Sequence, residues 1–334
     1  MGNTDQRVPD ISVVIITRNE SANIASCIES ILTSAADDSP DIILVDSAST
    51  DATVDIARRY PITIVHLESS PLLSPAVGRF IGTRYARAPL IQFLDGDMVV
   101  FPGWVHAAQE VFQDPLVGGV AGLLHRSRPT ATGETILKDT SAGSEVECFG
   151  GAAVYRKAVL DQVGTFNPFM LGEEERELGY RIRRMGYVLK RIPVEMAVHV
   201  EKVQDHGEVS EKSRFFRGVG QLVRGYPFQP ICWRILGLQS GELLRQMIFW
   251  GTPVVLVVAA LTGWSLFAIL GTVLVALGLL ALLAWKGPRK VLLYAKRRVL
   301  IPSNILQGLF IGIGRPADFR IGATVEKSER SKVT

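Results

Sequence analysis

Two carboxylates flank a glycine in Asp95-Gly96-Asp97, directly after the apolar run LIQFL. Carboxylates at this spacing, around a glycine that permits a tight turn, can hold a divalent cation against a diphosphate group. So short a motif also occurs often by chance. Its position in the fold therefore decides how much weight it carries.

Two further polar clusters follow apolar runs earlier in the chain. Thr17-Arg18-Asn19-Glu20 comes after the run that starts at Ile11, and residues 46–51 (DSASTD) come after the run that starts at Ile42. Each cluster alone is most simply a turn or a helix cap. Three clusters after three strands favour a ligand site instead, because ligands bind beyond the carboxyl ends of the strands in open α/β sheets.

The elements that would position these clusters alternate between strand and helix. Near-continuous apolar runs predict buried strands over 11–17, 42–45, 62–67 and 90–94. Helical spacing follows the first three runs, with helices that begin near Asn19 or Ser21, begin near Ser49–Asp51, or cover 76–86. This alternation predicts an α/β domain with a mostly parallel sheet.

The second third of the chain is less regular. Strands are expected over 118–124 and 150–154. The small residues of 150–154 are also compatible with a close backbone approach. Helices are expected over 157–163 and 173–185. The polar stretch 130–147 predicts a loop.

One apolar segment accounts for much of the mean hydropathy of +0.23. No charged residue occurs between Arg245 and Lys286. A single helix over 246–285 would span about 60 Å, twice the ~30 Å hydrocarbon core of a bilayer. A transmembrane hairpin over 249–285, broken near Thr262–Ser265, fits better. Basic residues on both sides place both ends in the cytosol.

The hairpin has two alternatives, and one of its flanking segments has another. The hairpin could instead be re-entrant or a pair of buried helices in a soluble core. Residues 231–248 suit an interfacial amphipathic helix, and 286–334 a basic juxtamembrane segment with a second interfacial helix and a tail. Within that part, 299–314 has a third crossing as its alternative.

Composition excludes several classes of protein. The 36 lysine and arginine residues nearly balance 33 aspartate and glutamate residues, so no nucleic-acid partner is expected. The three cysteines are isolated, which argues against a disulfide framework and a zinc site and suits a reducing compartment. Residues 1–10 lack the pattern of a secretory signal, so the first 245 residues are expected in the cytosol.

Five ordered segments together resemble the family 2 inverting glycosyltransferases, which have the GT-A fold, a Rossmann-like α/β architecture. The resemblance covers about residues 1–220. The segments are 11–20, 43–51, 76–86, 93–97 and 172–187.

The resemblance implies a nucleotide-sugar site at the strand ends. Its residues would be Thr17, Asn19, Glu20, Asp46, Asp51, Arg79 and Asp95. Arg79 would contact a phosphate, a surface arginine being the alternative. Ser47 and Phe80 depart from the family's usual aspartate and asparagine.

The resemblance also implies a catalytic base at the start of a helix. Glu175 aligns with the family's base and Glu174 is its rival, while an acidic first turn that complements the helix dipole is the alternative reading. His199 is expected near the diphosphate or metal, with His206 or a purely structural histidine as alternatives.

These expectations combine into one predicted enzyme. It would use Mg²⁺ or Mn²⁺, held by Asp97, Asp95 and His199, to move a single sugar from a nucleotide-sugar donor to a lipid-linked acceptor at the cytoplasmic face of the cell membrane. Residues 1–105 would bind the donor and 106–230 the acceptor. Gly225 follows Gln221-Leu222-Val223-Arg224, so the Q-x-x-R-W motif of processive synthases is absent.

Three alternatives remain beside that enzyme. One is a polyprenyl-phosphate glycosyltransferase, and another is a catalytically degenerate nucleotide-binding module of an envelope polysaccharide assembly. The third is a part of a lipid-carrier export assembly.

Overall fold

The computed structural model describes residues 9–34, 40–130, 133–141, 143–201 and 215–328. They fall into two compact units. The sheet unit combines residues of 1–204 with residues of 314–334, and the helical unit lies within 205–313. His206 lies outside the described residues.

The described part of the sheet unit contains eleven strands and six α-helices. The strands are β1 (Ile11–Thr17), β2 (Asp41–Asp46), β3 (Thr63–Leu67), β4 (Leu90–Asp95), β5 (Met98–Val100), β6 (Val117–Thr130), β7 (Gly133–Leu137), β8 (Ser144–Glu145), β9 (Ala153–Arg156), β10 (Val188–Val200) and β11 (Ala323–Lys327). The helices are α1 (Ile24–Ser34), α2 (Thr53–Ala57), α3 (Pro75–Tyr85), α4 (Trp104–Val111), α5 (Lys157–Val163) and α6 (Glu174–Arg184).

The strands form one sheet, in the order β11-β3-β2-β1-β4-β9-β6-β10-β5. Strands β3, β2, β1 and β4 are parallel neighbours, as the apolar runs predict. Their side chains are almost all buried, because helices cover both faces of a parallel sheet. The α/β prediction is confirmed, and the sheet is parallel in this half.

The other half of the sheet is mixed. Strand β9 pairs antiparallel with both β4 and β6, whereas β6 and β10 are parallel. Strand β10 had no sequence prediction: Pro193 and several charged residues interrupt it, and its register shifts at that point. A bulge of this kind accommodates a proline that a regular ladder would exclude.

The loop predicted over 130–147 is wrong in part. Strand β6 continues to Thr130 and forms a hairpin with β7, and β8 pairs with β10. Strand β8 and the described side chains of β7 are exposed, so no alternation of apolar residues marks these strands in the sequence. Strands β7 and β8 are therefore recognised only from their backbone hydrogen bonds in the structure.

Small residues bring α3 close to the sheet. A Cβ atom at Gly82 would lie 2.2 Å from Val14 Cγ1, and one at Gly78 would lie 2.8 Å from Ile16 Cγ2. Only glycine allows this approach. All residues from Ala76 to Thr83 are buried as a result, including Arg79.

The chain returns to the sheet unit after the helical unit. Strand β11 pairs antiparallel with β3 at the edge of the sheet. The Glu326 carboxylate lies 2.8 Å from Arg58 Nε and 3.3 Å from His66 Nε2. The expectation of a simple tail after 314 is therefore incomplete, because a five-residue strand carries too weak a pattern to be recognised beside a membrane segment.

The helical unit contains five described helices. They are α7 (Phe216–Gly225), α8 (Pro230–Leu238), α9 (Ser240–Leu261), α10 (Ser265–Lys286) and α11 (Pro288–Ile311). Helix α9 is long and apolar enough to cross a membrane, and only 6% of its most apolar window is buried. The apolar part of α10 that is described, Ser265–Leu277, is shorter.

Helix boundaries here differ from those expected. Residues 231–248 are divided between α8 and α9, and the basic segment and 299–314 are one continuous helix, α11. Arg298 on α11 is buried and pairs with Glu242, 2.5 Å from Nη1 to Oε1. It is therefore not available to a lipid surface, because the carboxylate neutralises it within the unit.

Candidate active site

The ends of β1, β2 and β4 surround one cavity of about 300 Å³. Four residues expected to bind donor or metal line it: Thr17, Glu20, Asp95 and Asp97. The cavity's other lining residues are Ile16, Arg18, Ser47, Leu73, Ser74, Pro75 and Gly96. Convergence of strand ends, inferred from the pattern, is thus seen in the structure.

The two loops after β1 and β2 are tied together by side chains. Asn19 N–H donates to Ser49 Oγ at 2.9 Å, and Thr50 N–H donates to Asn19 Oδ1 at 2.8 Å. Asn19 and Ala48 both have positive φ, 56° and 58°. Such strain in residues other than glycine persists only where neighbouring bonds enforce it, and it is concentrated at functional sites.

Asp51 fastens the same loops from the other side. Its carboxylate accepts hydrogen bonds from Ser21 N at 3.1 Å and from Thr53 N at 3.0 Å, and from the Thr53 hydroxyl. Desolvation opposes ionisation, but these hydrogen bonds from Thr53 and Ser21 hold the pKa of Asp51 below its usual range. The carboxylate has a structural task in addition to any donor contact.

Asp46 is buried below the loop. It accepts from Ser49 N at 3.2 Å, and its Oδ2 lies 3.9 Å from His66 Nδ1. Neither Asp46 nor Asn19 nor Asp51 lines the cavity. Their direct contact with a nucleotide stays a prediction.

Gly96 serves close packing rather than an unusual turn. Its φ is not in the left-handed region. A Cβ atom there would lie 2.8 Å from Thr17 Oγ1 and 3.3 Å from Glu20 Cγ. The glycine therefore lets this segment pack against the end of β1. The expected tight turn is confirmed, because only Gly96 and Asp97 separate β4 from β5.

Asp97 lines the cavity, and His199 contacts Asp97 from β10. His199 Nε2 is 3.1 Å from Asp97 Oδ2, next to the point at which β10 pairs with β5 and His199 lies opposite Met98. The hydrogen bond to Asp97 raises the pKa of His199, against partial desolvation. Within the described part of the chain, Asp97 Oδ1 and Thr17 Oγ1 are buried without a hydrogen-bond partner. Both atoms are available to a ligand in the cavity.

Arg79 joins the two acidic motifs. Its Nη1 lies 2.8 Å from Glu174 Oε1 and 3.1 Å from Glu175 Oε1, and its Nη2 lies 3.1 Å from Asp95 Oδ1. The side chain is only 2% exposed, so it is not a surface arginine. Its guanidinium points to three carboxylates, which favours a positioning role over the expected phosphate contact.

The two adjacent glutamates differ in exposure. Glu174 is buried, whereas the side chain of Glu175 is 17% exposed. Burial, together with repulsion from Glu175, raises the pKa of Glu174, although Arg79 opposes the shift. Glu173, just before them, has φ 58°. Both glutamates contact Arg79, so they are more than an acidic first turn.

Gly151 holds the backbone against this network. A Cβ atom there would meet Asp95 Oδ2 at 2.6 Å and Arg79 Nη2 at 3.1 Å. The alternative of a close backbone approach within 150–154 is confirmed here, and the strand begins later, at Ala153. Burial raises the pKa of Asp95 to about 6, while Arg79 opposes that shift.

The side chains at this site could bind a divalent cation only together with the phosphates of a bound substrate. No group of three or more His, Cys, Asp or Glu side chains among the described residues is arranged as a ready metal centre. Mg²⁺ is usually bound by one or two carboxylates together with substrate phosphates. The buried, unpartnered Asp97 Oδ1 beside the cavity meets that requirement.

Several lining residues were not selected from the sequence. Arg18 and Ser47 belong to recognised clusters but were not chosen as ligands. Leu73, Ser74 and Pro75 had no signal, because they precede the motif that begins at Ala76.

Residues 12–166 match the family description "Glycosyl transferase family 2". The pre-mycofactocin glycosyltransferase of Mycobacterium tuberculosis is 24% identical over 276 residues, which cover 76% of this chain and 56% of that protein. The chain thus spans little more than half the length of this relative.

Two solved structures are similar in fold. The mannosyltransferase PcManGT from Pyrobaculum calidifontis, in complex with GDP-Man and Mn²⁺, has a TM-score of 0.59 at 21% identity and covers 91% of this chain and 88% of its own. S. aureus TarS 1-349, in complex with UDP-GlcNAc, has a TM-score of 0.52 at 14% identity and covers 66% and 68%. Residues 12–166 therefore match a glycosyl transferase family 2 domain, and the two solved structures share the GT-A fold of this chain.

Proposed function

We propose that this protein is a metal-dependent inverting glycosyltransferase that moves one sugar from a nucleotide-sugar donor to a lipid-linked acceptor. The observation that carries the proposal is the Arg79 network. It joins Asp95, at the donor cavity, to Glu175, the more exposed glutamate of α6. A donor-binding acid and a base held by one guanidinium are suited to a single displacement at an anomeric carbon.

The donor cavity supports a nucleotide sugar. Similar solved enzymes bind UDP-GlcNAc and GDP-Man. Asp97 and Asp95 would hold Mg²⁺ or Mn²⁺, with His199 fixing Asp97 through its hydrogen bond. A cation bound there supplies charge neutralisation to the leaving nucleoside diphosphate.

Glu175 would act as the general base. Direct displacement with inversion requires a carboxylate that takes the proton of the acceptor hydroxyl. Glu175 is the more exposed of the two candidates, and Arg79 fixes its position at 3.1 Å. Glu174, whose pKa is raised by burial, is the less accessible of the two to an acceptor hydroxyl, because its side chain is only 4% exposed.

The helical unit supports a membrane-bound acceptor. Large apolar side chains of α9 and α10 are exposed in this structure, including Leu261 at 82% and Leu274 at 68%. Exposed apolar surface of this extent is typical of contact with lipid. Basic residues at both ends of the hairpin favour the cytoplasmic face for the sheet unit.

Donor hydrolysis tests the reaction class. The purified full chain would be screened against nucleotide sugars with and without Mn²⁺, and wild type compared with Asp97→Ala. We expect Mn²⁺-dependent release of nucleoside diphosphate from one donor and its loss in the variant. No hydrolysis of any donor by the wild type would instead favour the degenerate nucleotide-binding module. That alternative is motivated by Ser47 and Phe80, which depart from the family's usual residues.

Cysteine labelling tests the membrane topology. In a variant whose three native cysteines are serine, Thr262→Cys and Lys286→Cys would be treated with an impermeant maleimide on intact cells. A crossing hairpin predicts labelling of Thr262→Cys only, because Lys286→Cys would react only after the membrane is opened. Protection of both sites on intact cells would indicate a re-entrant hairpin.

A further inference from the structure

A second cavity, of about 380 Å³, lies in the mixed half of the sheet. Strands β6 and β10, residues 137–139 and residues 150 and 152 form its walls. Its charged lining residues are Arg126, Lys138, Asp139 and Arg191. Its volume corresponds to about a dozen water molecules at ~30 Å³ each, enough for a compact substrate group.

The strand registers place this cavity beside the reaction centre. Ala153 on β9 pairs with Phe93 on β4, so Gly151 reaches the level of Asp95. On its other side β9 pairs with β6, which runs parallel to β4. Strands β4 and β6 are two strand spacings apart, about 10 Å. The cavity, whose wall includes Gly150 and Ala152 on either side of Gly151, therefore lies within two strand spacings of Asp95, on the β6 side of β4.

Positive charge dominates the cavity wall. The single acid, Asp139, is already engaged, because its carboxylate accepts hydrogen bonds from Leu124 N at 3.2 Å and Ser141 N at 3.0 Å. These hydrogen bonds, with the nearby Arg191, hold the pKa of Asp139 below its usual range against desolvation. Asp139 is thus a fixed anion that leaves a surplus of cations.

Arg191 has a hydrogen-bond donor available for a ligand. Its Nε is buried and, across the described ranges of the chain, has no hydrogen-bond partner, and its Nη1 makes only a 3.5 Å contact with Ser141 Oγ. Arg126 contributes a second cation, since its 3.6 Å approach to Glu201 is longer than the 2.9 Å pair that Glu201 forms with Arg128. A buried guanidinium donor without a partner is costly unless a ligand satisfies it.

We propose that this cavity binds an anionic group of the acceptor, through Arg191, Lys138 and Arg126. The inference rests on the proposed function, because it is the transfer reaction that requires an acceptor beside Asp95. The guanidinium fork suits an oxyanion such as a phosphate or a carboxylate. An acceptor held there has its negative charge on the β6 side of Asp95 and its hydroxyl toward Glu175.

Anion binding by the full chain tests the proposal. The purified protein in detergent would be titrated calorimetrically with inorganic pyrophosphate, with EDTA present to suppress metal-dependent binding in the donor cavity. A second arm would use glucuronate. Preference for pyrophosphate identifies a phosphate-bearing acceptor, and preference for glucuronate identifies an acidic sugar.

Variants assign the binding to this cavity. We expect Arg191→Gln to weaken binding of the preferred anion about tenfold, and Arg191→Lys to weaken it less, because a lysine keeps the charge but not the fork. Lys138→Gln, on the exposed rim, tests the same cavity if Arg191→Gln does not fold. The matched control is Arg183→Gln, an exposed arginine on α6 outside the cavity, which should bind the anion as wild type does.

Two results would overturn the proposal: no binding of either anion by the wild type, or unchanged binding in both Arg191→Gln and Lys138→Gln. Donor hydrolysis separates this failure from failure of the proposed function. Absence of hydrolysis with anion binding intact refutes the transfer reaction, and with it the acceptor role, but leaves the anion site itself. Hydrolysis without anion binding refutes only the cavity's role.

Discussion

The two halves of the sheet prepare their cavities in opposite ways. In the parallel half, strands end at one level, and side chains such as Asn19 and Asp51 bond to the neighbouring loop. In the mixed half, β6 and β10 pair with register shifts, and basic side chains remain at the cavity wall. In the parallel half, polar side chains form hydrogen bonds that fix the loops. In the mixed half, basic side chains at the cavity wall are available to a ligand.

This difference separates rigidity from adaptability. The loops after β1 and β2 are fixed by hydrogen bonds before a ligand binds, so little conformational entropy is lost on binding. Long arginine and lysine side chains at the other cavity adapt to the ligand but lose rotamer freedom on binding. Arg79 and Gly151 lie where the halves meet, which makes them sensitive points for experiment.

Glu175→Gln gives the largest expected loss. Removal of a general base lowers kcat by roughly 10²–10⁴-fold, while KM for the donor should change little. Glu174→Gln is the matched control, with a smaller effect on kcat. Steady-state transfer assays on both variants measure this, and a greater loss in Glu174→Gln would make Glu174 the base.

Arg79→Met tests the junction between the halves. It leaves three carboxylates without their buried partner, and breaking such a network costs about 3–5 kcal/mol in the free energy of unfolding. Urea unfolding followed by fluorescence measures it, with Arg84→Met on the exposed face of the same helix as control. Equal stability of the two variants would contradict the network's structural role.

Gly151→Ala tests the junction without a change of charge. The added Cβ would collide with Asp95 Oδ2, and the displaced carboxylate should lower donor hydrolysis about a hundredfold. Gly241→Ala is the control, because nothing lies within 4 Å of a Cβ there and Gly241 lines neither cavity. It should stay within about twofold of wild type. Similar losses in the two variants would argue against the collision.

Asp51→Asn tests the hydrogen bonds between the loops after β1 and β2. It has the smallest expected effect of the four substitutions. Because hydrogen bonds lower the pKa of Asp51 in the folded state, its carboxylate stabilises the fold above the unfolded pKa of about 3.9, and this contribution disappears as pH falls further. Asp51 is exposed, so about 1 kcal/mol is expected at pH 7.

Thermal unfolding of Asp51→Asn and wild type at pH 7 and pH 3 measures this contribution. Asp55→Asn, a nearby exposed aspartate on α2, is the control. A difference between Asp51→Asn and wild type that grows toward low pH would contradict the assignment.

The sequence by itself determined the parallel half of the sheet. Apolar runs such as Ile11–Thr17 have a local cause, since a strand buried on both faces must be apolar throughout. The carboxyl ends of parallel strands then meet by topology, which brought Thr17, Glu20, Asp95 and Asp97 to one cavity. The mostly parallel α/β sheet and the place of the acidic motif could therefore be predicted from these patterns, whereas the GT-A fold was implied by the resemblance to family 2 glycosyltransferases.

Only the tertiary structure decided the mixed half of the sheet and the junction at which it meets the parallel half. The environment of Arg79 depends on glycines 78, 82 and 151, whose close contacts come from distant segments and leave no local pattern. Strand β10 is hidden by Pro193, and β11 reaches β3 from the far end of the chain. Local sequence patterns report burial and periodicity, but which segments meet is set by packing between residues far apart in the chain.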